Sequence, residues 1–403
     1  MTSKKKRGET TRDSGLHPES LLVRGGLTRS GFQETAEALY LTSGYVYESA
    51  EQAADAFQDK AEVFMYSRYA NPTVSVFEER LALLEGAEAC RATASGMAAV
   101  FSALACQLKA GDRLVASRAL FGSCHVIVSQ ILPRFGVESV FVDGHDLAQW
   151  KEALSVPAAA VFLESPSNPM LDLVDLEAVC ALAKKAGARV VVDNVFATPL
   201  YQRPFEFGAD VVVYSATKHI DGQGRCLGGA VLASEAFIKD LYTPFYRHTG
   251  PSMSPFNAWV MAKALETLPL RVERQCASAL SLAERLSVQQ KLSLVRYPGL
   301  TSHPQHALAV KQMSGFGSLV TFEVKGGRAE AFKVMNALEL IDISNNLGDS
   351  KTLITHPAST THQRLTPEER KHLGISEGTL RLSVGLEHPD DLLADIDRAL
   401  SAV

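Results

Sequence analysis

The segment Ala209-Asp210-Val211-Val212-Val213-Tyr214-Ser215-Ala216-Thr217-Lys218-His219 passes from a run of valines into small hydroxyl-bearing residues and then a lysine. A lysine presented at the carboxyl end of a buried strand can form an imine with an aldehyde, since partial desolvation lowers the cost of its neutral form. Ser215 and Thr217 alternate with Ala216, so both hydroxyls can face one phosphate. Taken alone, the same pattern also describes a surface lysine opening a loop. Val190-Val191-Val192-Asp193-Asn194 puts a carboxylate at the end of a second apolar run. Asp193 suits either a protonated pyridine nitrogen or the cap of a following helix. Taken together, Lys218 and Asp193 address opposite ends of one ring, that of pyridoxal 5'-phosphate: an amine for its aldehyde and an anion that keeps its nitrogen cationic. In Ala94-Ser95-Gly96-Met97-Ala98-Ala99 a glycine turn opens an alanine-rich helix, whose free N–H groups and dipole favour a phosphate. Gly222-Gln223-Gly224-Arg225-Cys226-Leu227-Gly228-Gly229 misses G-x-G-x-x-G by one residue, so a dinucleotide fold gains little support.

These groups need rigid elements beneath them. Between residues 158 and 233 short apolar runs recur at Ala159-Ala160-Val161-Phe162-Leu163, Val190-Val191-Val192, Val211-Val212-Val213 and Ala230-Val231-Leu232, as in strands buried on both faces. Leu176, Val179, Cys180 and Ala183 share one face of a helix that ends at Gly187 and leads into the next strand, a β-α-β unit. The expected architecture is α/β with a mainly parallel sheet and ligands at the carboxyl ends of its strands. After Pro255 the pattern turns to long helices through about Leu286, then to strand-like segments at residues 317–324 and 380–384. A domain boundary is therefore expected at residues 251–255.

With 403 residues, 46% of them hydrophobic, the chain can bury one large core and a second, smaller one. A net charge of -5 offers no basic excess for nucleic acid. Residues 1–20 include Lys4-Lys5-Lys6-Arg7 but little apolar surface, and are expected to form a frayed tail. The six cysteines form no C-x-x-C pair or zinc-finger spacing, which implies no metal and a reducing compartment. No apolar run of about 18 residues suggests a membrane span, and no signal-peptide core opens the chain. A cytoplasmic protein is expected.

Six motifs then make the chain resemble a known family: Tyr66-Ser67-Arg68-Tyr69-Ala70-Asn71-Pro72-Thr73, Ala94-Ser95-Gly96-Met97, Glu164-Ser165-Pro166-Ser167-Asn168-Pro169, Val192-Asp193-Asn194, Ser215-Ala216-Thr217-Lys218 and Leu380-Arg381-Leu382-Ser383-Val384-Gly385-Leu386-Glu387. The family is that of the pyridoxal-phosphate enzymes of cysteine and methionine metabolism, the trans-sulfuration enzymes. The resemblance implies the aspartate-aminotransferase-like fold (fold type I): a mainly parallel seven-stranded sheet with helices on both faces, plus a smaller α/β C-terminal domain. It implies an N-terminal arm at residues 21–64 that contacts a neighbouring subunit, a cofactor domain at 65–254 and a C-terminal domain at 255–403.

It also implies roles. Lys218 would carry the cofactor as a Schiff base and later move protons between substrate carbons. Asp193 would hold the ring nitrogen, and Gly96, Met97, Ser215 and Thr217 the phosphate. Tyr66 and Arg68 would reach the phosphate of a neighbouring subunit, making a dimer the minimum and a dimer of dimers the expectation. Arg381 would clamp the substrate α-carboxylate, and Asn168 would stand near the phenolic oxygen and that carboxylate. Within the family, Ser252-Met253-Ser254-Pro255-Phe256-Asn257-Ala258-Trp259 and Asn346-Leu347-Gly348-Asp349-Ser350-Lys351-Thr352 are most similar to members that join O-succinylhomoserine to sulfide, giving homocysteine. Cystathionine γ-synthase, O-acetylhomoserine sulfhydrylase and methionine γ-lyase activities are the alternatives.

Three positions depart from the family pattern. Phe121 stands where a tyrosine commonly stacks on the ring, so stacking is kept and a phenolic acid/base is lost. Ser123 replaces a cysteine common in γ-lyases, and His219 replaces a tyrosine with no evident consequence. A succinyl leaving group carries its own carboxylate and calls for a second cation, for which Arg118 is a candidate and a solvated surface charge the alternative.

Overall fold

A computed structural model describes residues 15–27 and 29–403 of the chain. The basic cluster at residues 4–7 lies outside the described residues. Pro18–Arg24 is a helix, with Leu22 buried against the helix Pro72–Glu85. The frayed tail expected through residue 20 is thus corrected over Pro18, Glu19 and Ser20, because a single buried leucine docks this turn.

The larger sheet contains β1 (Ala89–Thr93), β2 (Arg113–Ser117), β3 (Glu138–Val142), β4 (Ala160–Glu164), β5 (Arg189–Asp193), β6 (Val211–Tyr214) and β7 (Gly229–Ala233). Their order is β1-β7-β6-β5-β4-β2-β3. β2 to β6 are mutually parallel, while β7 runs antiparallel to both β6 and β1. Side-chain alternation explains why the sheet is covered on both sides: Val190 and Val192 enter one core and Val191 the other. The helix Leu176–Lys185 buries Leu176, Val179, Cys180 and Ala183, as its spacing predicts, and starts at Asp175, whose side chain accepts from the Ala178 N–H.

Register then aligns the chemistry. Glu164 pairs with Asp193 across β4 and β5, and Asp193 with Val213 across β5 and β6. Three strands therefore deliver their carboxyl ends to one line, where an open α/β sheet binds its ligands. Beneath it, Tyr214 donates to Glu85 Oε2 (2.5 Å), while Asn194 donates to Tyr214 Oη (2.6 Å) and to Gln202 O (2.8 Å). This buried network fixes the ends of β5 and β6 against the helix Pro72–Glu85.

A second sheet, β10-β11-β12-β9-β8, comprises β8 (Leu292–Arg296), β9 (Leu319–Val324), β10 (Asp342–Ile343), β11 (Leu353–Thr355) and β12 (Thr379–Ser383). The boundary lies later than residues 251–255. The helix Pro255–Leu265 packs Ala258, Met261, Ala262 and Leu265 into the core of the large sheet. The next helix, Leu268–Leu286, gives Leu268 and Val272 to that core and Ala279, Leu282, Ala283 and Leu286 to the core of the small sheet. Pro255 marks a helix start, at a position where a missing N–H costs nothing, rather than a change of core. Among the described residues no helix is long and apolar enough to cross a membrane.

Candidate active site

Past β6 the chain turns at once: Lys218 N donates to Ser215 O (3.2 Å) and Gly222 N to Lys218 O (2.7 Å). Lys218 Nζ reaches Asn346 Oδ1 at 2.6 Å and has no carboxylate partner among the described residues. Burial, aided by the Arg381 charge, lowers its pKa to about 8, so a substantial neutral fraction exists near physiological pH.

Arg381, on β12, is 1% exposed. It donates to Asn168 Oδ1 (3.0 Å) and to the carbonyls of Asn345 (3.0 Å) and Asn346 (3.2 Å), while its Nε has no partner among the described residues. A buried guanidinium with no direct ion pair among the described residues, and only the nearby Glu164 acting on it at longer range, is suited to receive a carboxylate. Asn168 N donates to Glu164 Oε1 (3.1 Å), and Phe121 N to Glu164 Oε2 (2.8 Å). A continuous set of contacts thus joins Lys218, Asn346, Arg381, Asn168, Glu164 and Phe121, with Asp193 beside Glu164 in register.

Asp193 does not cap a helix. Its Oδ1 accepts from Val195 N (3.2 Å), and the next helix begins only at Thr198. Burial pushes its carboxyl up to about 7, although the residue keeps some exposed surface. Glu164 is held well above the usual carboxylate range by burial and by the Asp193 charge. Two carboxyl groups so placed cannot both ionise cheaply without a cation, and a protonated ring nitrogen at Asp193 would supply one.

The cradle is equally specific. Ser95 caps the helix Gly96–Ala105 by accepting from Ala98 N (3.2 Å), which leaves the N–H groups of Gly96 and Met97 unpaired among the described residues. A Cβ on Gly96 would lie 2.5 Å from Ser215 Cβ, so only glycine lets this helix end approach the lysine turn. The Ser215 hydroxyl is likewise unpaired among the described residues. Thr217 Oγ1 accepts from Gly228 N (3.0 Å), which aims its position but engages the hydroxyl with the Gly228 carbonyl (3.2 Å). Orphaned donors, a partly neutral lysine and a carboxyl lacking its cation fit pyridoxal phosphate.

Tyr66 and Arg68 are not joined to this cluster within the chain. Arg68 donates to Arg247 O and lies over the Tyr69 ring, and Tyr66 is exposed. Arg118 pairs with Asp143 (3.1 Å), which also meets His372 (2.8 Å), so it does not stand as a free cation. His219 is buried beside Lys218 and reaches Ser318 Oγ at 2.8 Å, tying the lysine turn to the strand β9 region; burial lowers its pKa to about 4.

A family model described as Cys/Met metabolism PLP-dependent enzyme matches residues 19–401. The chain belongs to this family. It is 60% identical over 391 residues to an O-succinylhomoserine sulfhydrylase of Mycobacterium tuberculosis, covering 96% of both chains. It is 47% identical over 385 residues to one of Pseudomonas aeruginosa, covering 96% of this chain and 95% of that one. A Campylobacter jejuni structure carrying N'-pyridoxyl-lysine-5'-monophosphate superposes with a TM-score of 0.92 at 33% identity, covering 96% of this chain and all of the other. The fold is accordingly that of the aspartate-aminotransferase-like, fold type I pyridoxal-phosphate enzymes, and the family's cofactor is pyridoxal phosphate. Two residues of this family member's site carry no role in the sequence reading. Asn346 and Glu164 both lie inside quoted motifs, yet their contacts are made only after folding.

Proposed function

We propose that the chain catalyses γ-replacement, converting O-succinylhomoserine and hydrogen sulfide to homocysteine and succinate. The observation that carries this is Arg381, a buried cation that forms no ion pair among the described residues, next to a lysine poised to lose its proton. Its planar fork suits the α-carboxylate of an amino acid, and Asn168 fixes its orientation. The kinship to two sulfhydrylases supports the acyl and thiol choice.

Pyridoxal phosphate, when bound, withdraws electrons from the substrate carbon attached to its aldehyde-derived carbon. Lys218 would hold the aldehyde, Asp193 the ring nitrogen, Phe121 a ring face, and Gly96, Met97, Ser215 and Thr217 the phosphate. Once its amine is free, Lys218 would take a proton from Cα of the substrate and then serve Cβ. The Cγ–O bond breaks and succinate leaves with the electron pair; hydrosulfide forms the Cγ–S bond, and Lys218 returns the protons. Phe121 cannot donate a proton, so these transfers fall on Lys218.

Oligomerisation completes this reading. Phe32, Leu41, Val46 and Phe57 are exposed in and near the N-terminal arm, an apolar surface suited to a second copy. Tyr66 and Arg68 of that copy would then reach the phosphate, in a dimer of dimers in the cytoplasm.

The test is to supply O-succinylhomoserine with sulfide and cysteine together and identify the product. Homocysteine should predominate. Predominant cystathionine, or release of 2-oxobutanoate from methionine without added thiol, would contradict the proposal.

A further inference from the structure

A cavity of about 890 Å³ adjoins the cleft, with Phe121, Gly122, Asn345 and His362 in its wall. Asn345 and His362 are also the neighbours of the carboxylate site: Asn345 O accepts from Arg381, and His362 Nε2 lies 3.1 Å from Asn168 O. The cavity therefore borders the groups that hold Arg381 and Asn168, and it offers room for the remainder of a substrate anchored there.

The segment after β11 forms its outer wall and is held at two points. His362 provides one. Gly122 provides the other, since a Cβ there would come within 2.9 Å of Thr361 O. Directly beyond these anchors stands Arg364, exposed, with no hydrogen bond or ion pair among the described residues. A second cavity, of about 480 Å³, is also lined by Arg364 and Ser123 and reaches Met97 in the phosphate cradle. Arg364 thus overlooks both the substrate cavity and the cofactor end of the site.

The charges around it leave it available to an anion. Glu369, the carboxylate on the cavity wall, accepts from Thr366 N (2.7 Å) in the capping box of its own helix. Two of the histidines on the cavity wall are poor cations: burial lowers His125, and burial together with Arg381 lowers His362 to about 4.

We infer that Arg364 binds the terminal carboxylate of the succinyl leaving group and so sets the acyl specificity. This rests on the O-succinylhomoserine reading above and assigns to Arg364 the second cation that Arg118, bound to Asp143, does not supply. A charged hydrogen bond at a half-open site corresponds to roughly 10–100-fold in affinity.

The test compares O-succinylhomoserine with its terminal methyl ester, using sulfide and the holoenzyme, in wild type, R364Q and R364K. Wild type should favour the free acid by roughly 10–100-fold in kcat/KM, mainly through KM. In R364Q the two substrates should become nearly equal, and R364K should restore part of the preference. A preference that survives in R364Q, or an equal loss on both substrates, would overturn the role of Arg364. Wild type that leaves O-succinylhomoserine unreacted with sulfide would overturn the proposed function along with it.

Discussion

Arg381 illustrates how one side chain states the chemistry of the site. Its Nη atoms are satisfied by neutral oxygens while Nε stays unpaired, and burial lowers its pKa to about 10. Such a group is stabilised most by an incoming carboxylate. R381K keeps the charge and loses the fork, so kcat/KM for O-succinylhomoserine should fall by roughly 10–100-fold or more while cofactor absorption is retained. Steady-state kinetics beside a visible spectrum check this, and unchanged kcat/KM would contradict it. The positions of Lys218 and Asp193 at strand ends were legible in the sequence, because Asp193 closes a short valine run and Lys218 follows another after a turn of small residues. Asn346 was not, since its contact with Lys218 spans 128 residues and arises in irregular chain with no periodicity. Nor was the unpaired state of Arg381, which depends on what three separate segments bring around it.

At the scale of elements, the ends of β5 and β6 rest on Glu85, Tyr214 and Asn194. Burial raises Glu85 from 4.5 to about 8. The folded chain therefore keeps a proton that the unfolded chain releases, and the stability this contributes is full below pH 4.5 and lost as pH rises to about 8. E85Q has no such proton. Between pH 6 and pH 8 wild type should lose on the order of 1–2 kcal/mol relative to E85Q. Denaturant melts at the two pH values measure the difference, and parallel behaviour would contradict it. The strands and the helix Leu176–Lys185 were legible because their burial follows simple periods. The domain boundary was not: the helix Leu268–Leu286 serves two cores in turn, and its apolar spacing is the same in both halves.

The whole molecule leaves Tyr66 and Arg68 apart from its own cluster and keeps large apolar side chains exposed around its N-terminal arm. Sites shared between subunits have a measurable signature. K218A and R68A should each be nearly inactive alone, and an equal mixture of the two after reassembly should regain roughly a quarter of wild-type activity, since about one dimer in two is then a hybrid with one intact site of its two. No recovery in verified hybrids would contradict shared sites. More narrowly, of all the lysines of the chain it is Lys218 that should bond pyridoxal phosphate. Borohydride reduction of the holoenzyme, followed by peptide mass mapping of the full chain, tests it directly. A pyridoxyl-phosphate mass on the peptide containing Lys218, absent in K218A, is the predicted result; the same mass on a different lysine, or on none, would contradict it.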